Sequence, residues 1–130
     1  MLDAAYVFRV RFRLDPRAEN VALAPRTFET TMERAADPPG EEGWLFFRDN
    51  LWRGEANDPA HLRELAEEAL GVPVESIEFR ELRTGAEHLA ALKEAIAEEL
   101  PRGTFGNADT PQAVIRNYLG SSVHVRPEGS

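Results

Sequence analysis

The chain reads as an α+β domain, an antiparallel sheet of about four strands with two to three helices on one face. Two observations predict it. The N-terminal half opens with strict period-two alternation and continues in Thr-rich and aromatic extended stretches, whereas the C-terminal half carries capped segments with helical spacing.

Taken in order, Tyr6, Phe8, Val10, Phe12 and Leu14 alternate with Val7, Arg9, Arg11 and Arg13. This is a strand with one apolar face and three arginines on the other, ended by Asp15-Pro16. Thr27 to Ala36 fits a strand through its three threonines, and Asp37-Pro38-Pro39-Gly40 then loops into the next segment. Trp44 to Phe47 is a continuous apolar run, as expected of a strand covered on both faces. Asp49-Asn50 interrupts it as a turn or bulge, Leu51-Trp52-Arg53 resumes extended structure, and Gly54 marks a bulge or close backbone approach.

Asn57 or Asp58 caps the first helix, with Pro59 opening it, Leu62, Leu65, Ala66, Ala69 and Leu70 as its stripe and Gly71 stopping it. Val72 to Leu82 is a strand centred on Ile77 and Phe79. Thr84 and Glu87 have capping-box spacing before a second helix lined by Leu89, Leu92, Ile96 and Leu100. Asp109-Thr110-Pro111 starts a third helix, ended by Gly120, and Val123 to Val125 forms a short edge strand. Residues 1–125 form one domain, and residues 126–130 form a disordered tail. A second topology stays open: with a helix over Thr27 to Ala36 and a hairpin at Trp44 to Arg53, the order is βαββαβ and the fold ferredoxin-like.

Composition narrows the function. The formal charge is −8, fourteen of fifteen basic residues are arginine, and Lys93 is the only lysine. Near-absence of lysine beside seventeen glutamates suits a proteome adapted to concentrated salt, with a GC-rich genome, whose codons favour arginine, as the alternative. At about 1 M the Debye length is roughly 3 Å, so long-range attraction to phosphate counts for little and duplex DNA is an improbable partner. No apolar run approaches the length of a membrane span and no signal peptide is visible, so the expected location is cytoplasmic. Cysteine is absent, which excludes disulfides and thiolate chemistry. No phosphate-cradling loop, nucleophile elbow or paired-histidine motif occurs, and neither cofactor nor metal is expected. Asp58, His61 and Glu64 recur every three residues, but a helix cap and a solvated face explain them better than a metal site.

Both tryptophans, Trp44 and Trp52, fall within Gly43 to Glu55, together with Phe46 and Phe47. Large aromatics dominate cores and interfaces alike. The Leu51-Trp52-Arg53 core resembles the LWR-salt proteins, a small family of halophilic archaea. The resemblance takes in the first strand, this segment and the Tyr118-to-Ser122 ending. It implies a haloarchaeal cytoplasmic protein, and it directs attention to Arg48, Asp49, Asn50, Trp52 and Arg53 without lending them a mechanism.

The residues themselves favour a non-catalytic protein-interaction or self-association module, with a protein partner or a homodimer. Its contacts are Arg48, Asp49, Asn50, Trp52 and Arg53, together with Arg9, Arg11 and Arg13 on the first strand. An RNA-binding module is the alternative, because arginines and aromatics on an open sheet face stack single-stranded bases. An enzyme needs a cleft in which Asp49, Arg53, Glu55 and His61 converge. For the three arginines, ion pairs with Glu29, Glu33 or Glu78 are the simplest expectation.

Overall fold

The computed structural model describes residues 4–14 and 26–126. Asp15-Pro16 and residues 127–130 of the expected tail lie outside them. Four strands, β1 (Ala4–Leu14), β2 (Arg26–Ala35), β5 (Val74–Thr84) and β6 (Val123–Val125), form one sheet in the order β2-β1-β5-β6. The three long strands are antiparallel, while β6 runs parallel to β5. The α+β class and the mostly antiparallel sheet of four strands are as expected, and only the short β6 makes the sheet mixed. The crossover through the helices after β5 returns the chain in the same direction as β5. Thr27 to Ala36 is extended, so the ferredoxin-like order does not form.

Alternation on β1 does what its sequence demands. Tyr6, Phe8 and Val10 are buried on one face among Phe79, Leu82, Leu92, Ile96, Val114 and Leu119. Helices α2 (Pro59–Leu70), α3 (Ala86–Glu99) and α4 (Pro111–Leu119) supply the cover. Asp58 caps α2 by accepting from the His61 N–H at 3.2 Å, with Pro59 as the first helical residue and Gly71 left-handed at the end. Thr110 caps α4 through the Ala113 N–H at 3.1 Å. The expected capping box at Thr84 does not form: Gly85 holds the cap position of α3 without a side-chain bond. Thr84 ends β5 instead, fully buried, and its hydroxyl donates to the Gly85 carbonyl at 2.9 Å.

The Trp44–Phe47 run is not a strand. Residues 41 to 45 turn through successive short-range bonds, Trp44 N–H to Glu41 O and Phe46 N–H to Gly43 O, into a single helical turn, α1 (Phe46–Asn50). Both edges of β1 are already taken by β2 and β5, and the run has no place beside the core-forming strand. It packs as a plug over the sheet instead. Phe46 lies 4.8 Å from the Tyr6 ring, and Phe47 is fully buried and stacked on Phe105 at 5.9 Å. A continuous apolar stretch fits a buried helical turn as well as a buried strand.

On the sheet's other face, Arg11 of β1 and Arg83 of β5 meet carboxylates of β2. Arg11 pairs with Glu29 on β2 at 2.9 Å. Arg83 on β5 reaches Glu33 on β2, also at 2.9 Å, so its side chain spans β1 and covers Ala5 and Val7, both buried. Arg9 lies opposite Glu78 in register, yet Glu78 pairs with Arg80.

Candidate functional site

Strands β3 (Leu51–Trp52) and β4 (Glu55–Ala56) form a minimal hairpin around Arg53 and Gly54. Both turn residues have positive φ, +54° and +79°, the signature of a type I′ turn, whose twist matches that of paired strands. Arg53 is the only non-glycine residue with positive φ among those described. Strand alternation sends Leu51 inward, fully buried, and Trp52 outward, 46% exposed.

The turn is held by its backbone. A helix leaves its last four carbonyls without intrahelical partners, and here each of α4's finds one. The Arg53 N–H donates to Asn117 O at 2.7 Å and the Gly54 N–H to Tyr118 O at 3.0 Å. The Gly120 N–H donates to Arg116 O and the Ser122 N–H to Leu119 O. Turn and helix end approach so closely that a Cβ on Gly54 would sit 3.0 Å from Leu119 O, and one on Gly120 would sit 3.1 Å from Arg53 O. Close backbone approach, one of the two readings of Gly54 from sequence, is what the fold uses.

On this base the Trp52 ring stands edge-on to Tyr118, with centroids 5.3 Å apart and planes at 84°. The Arg53 guanidinium lies 5.9 Å from the Trp52 centroid, a cation–π contact. Neither Arg53 nor Glu55 makes an ion pair among the described residues. Tyr118, Asn117 and Gly120 belong to the site and were not singled out as contacts by sequence. Gly54, Gly120 and the ending after Tyr118 are the signals the sequence offers for them.

The other expected residues divide. Arg48 and Asp49 pair with each other at 2.9 Å. Asn50 is buried and structural: its Nδ2 donates to Phe46 O at 3.1 Å, and its carbonyl accepts the Asn57 N–H at 2.9 Å. Arg9, Arg11 and Arg13 leave the sheet on the face opposite the core, whereas Trp52 packs on α4. Phe12 and Phe28 stack at 5.7 Å on the core side of their strands. Arginines and aromatics therefore do not share one sheet face. Asp49, Arg53, Glu55 and His61 are not joined by any side-chain hydrogen bond or ion pair among the described residues. No group of three or more candidate ligands converges on a metal position there either.

An open hollow of about 520 Å³ lies beside α1, lined by Arg34, Asp37, Trp44, Phe46, Asp49 and Asn50. The Arg34 guanidinium sits 4.7 Å over the Phe46 ring. The Asp37 carboxylate fills the space a side chain at Gly43 would need, and Gly43 has φ +88°, so glycine is required there. Tyr6 lies beneath. Burial drives its phenol pKa far above the ordinary value, while a backbone hydrogen bond with Phe47 works in the opposite direction. No helix is long and apolar enough to cross a membrane among the described residues.

A family model described as LWR-salt protein matches residues 2–129, nearly the whole chain. No curated protein and no solved structure matches the chain significantly.

Proposed function

The chain belongs to the LWR-salt protein family, and we propose that it is a non-catalytic protein-interaction module whose contact is the Trp52–Arg53 turn. One observation carries the reading. An indole 46% exposed stands on a turn whose backbone is fixed by the end of α4. A rigid aromatic loses little conformational freedom on binding, and exposed Trp and Arg are the residue types that dominate interface energetics. Among the described residues, the neighbouring arginine has no carboxylate partner to give up before it meets one on another protein. Contact by stacking and short hydrogen bonds also survives the screening that removes longer-range attraction. The Trp44–Phe47 run adds less to this contact, because Phe47 is buried within the chain and Trp44 and Phe46 pack partly against the core.

The test is capture from a cell lysate held at multi-molar KCl, with protein and RNA both quantified in the eluate and Trp52→Ala run in parallel. A protein companion should be retained by the wild type, rebind it when purified, and bind the variant at least about 30-fold more weakly, the loss expected of an interface hot spot of about 2 kcal/mol. Recovery of RNA alone would replace this reading with the RNA-binding one. Identical eluates would remove Trp52 from any contact.

A further inference from the structure

Strand β2 is an edge strand ten residues long, and among the described residues no further strand covers its outer side. It contains neither proline nor lysine, and its pairing with β1 runs from Ala35 to Arg26 without a bulge. Proteins ordinarily break, bend or charge an exposed edge of that length to prevent strand addition. The two carboxylates of β2 that would repel another strand are turned inward, Glu29 to Arg11 and Glu33 to Arg83.

The phase of the ladder fixes which backbone groups face out. The Ala36 N–H donates to Ala4 O, so even-numbered residues of β2 exchange hydrogen bonds with β1. Thr27, Glu29, Thr31, Glu33 and Ala35 then direct their N–H and C=O groups away from the sheet. Phe28 lies on the core side of the strand, 40% exposed, with Phe12 as its neighbour.

We propose that β2 pairs antiparallel with β2 of a second copy of this chain, about a two-fold axis at Thr30, joining two four-stranded sheets into one. This register follows from the side chains. It sets Phe28 against the second copy's Met32, apolar on apolar, and Glu29 against the second copy's Thr31, which is a hydrogen-bonded pair of outward-facing residues. Thr27 meets the second copy's Glu33 in the same way. At its two ends the register sets Arg26 against the second copy's Arg34, a like-charge pair, with the Arg34 guanidinium already drawn over the Phe46 ring of its own chain. A shift of the axis to Thr31 would bring like charges nearer the centre, Glu29 against Glu33, and a shift to Glu29 would set it against itself on the axis, pairs that destabilise a sheet. The axis at Thr30 also keeps the helices of both copies on one side and covers the exposed Phe28 rings. Because each copy carries a charge of −8, mutual repulsion opposes the contact in dilute buffer, where the Debye length is about 10 Å, and fades at about 1 M, where it is about 3 Å. Pairing is therefore salt-promoted. This surface is separate from the Trp52 turn.

Sedimentation equilibrium of the full chain from 0.1 to 3 M KCl should show a dimer that tightens as salt rises. In Thr31→Pro the lost N–H faces outward, so the bonds to β1 are retained while the second strand is blocked. That variant should keep its circular-dichroism melt and dimerise at least about 30-fold more weakly, whereas Trp52→Ala should dimerise normally. Register is read independently of that variant's folding. The chain has no native cysteine, so oxidation of Thr30→Cys should cross-link two copies at least about tenfold faster than oxidation of Glu33→Cys. A wild type monomeric at every salt concentration would overturn the proposal. So would equal cross-linking of the two cysteine variants, or a dimer lost in Trp52→Ala.

Discussion

Single residues here divide sharply between anchoring and presenting. Leu51 and Trp52 are adjacent, yet one is fully buried and the other is half in solvent, purely because strand alternation turns them to opposite sides. Their sequence marks the pair as large and apolar, and cannot say which faces inward until the partner strand is known. Tyr6 lies at the anchoring extreme. Its phenol is buried and its pKa lies well above the ordinary tyrosine value of about 10, so the folded chain holds that proton more tightly than the unfolded one. The stability this provides is complete below about pH 10 and declines as pH rises past the unfolded value, by up to about 1.4 kcal/mol per unit. Urea titrations from pH 9 to 11.5 should show this alkaline loss in the wild type and a shallower one in Tyr6→Phe. Parallel slopes would show that other groups cause it.

At the scale of elements, the capped helices were legible because their signals are local. Asp58-Pro59, Gly71 and Thr110-Pro111 act within a turn of their own positions. Segment α1 was not, because five residues cannot sustain a helix by propensity and its conformation comes from packing Phe46 and Phe47 under the sheet's terms. The β3–β4 hairpin is the same kind of case: its strands are two residues each, and the end of α4 stabilises them. Gly120 is the test of that dependence. Its φ of +64° and ψ of −140° suit glycine almost exclusively, and a Cβ would also press on the Arg53 carbonyl. Gly120→Ala should lower the unfolding free energy by about 1–3 kcal/mol. Gly71→Ala should cost less, because it has a comparable φ of +72° but nothing within 4 Å of an added Cβ. Denaturant midpoints of the two variants give the comparison, and equal losses would mean that the close approach at Gly120 bears no load.

For the whole molecule, the α+β class followed from the change of period between the two halves of the chain, and the sheet face carrying Arg9, Arg11 and Arg13 followed from β1 alone. The parallel entry of β6 did not, since three residues of Val-His-Val carry no direction until β5 and the preceding helices are placed. Nor could the sequence bring Arg53 to α4, because some sixty residues separate them and the contact is made by backbone amides common to every residue type. That contact ties a short surface hairpin to the interior on the time axis as well as in space. Amide protons in a two-residue turn ordinarily trade with solvent almost as fast as in an unfolded peptide. Those of Arg53 and Gly54 are bonded to the helix carbonyls of Asn117 and Tyr118, and they can be released only when the helix end or the hairpin comes away. In hydrogen–deuterium exchange they should keep pace with the slow amides of α4 rather than with the exposed side chains they belong to. Rapid labelling of both, with α4 still protected, would show that the hairpin opens on its own.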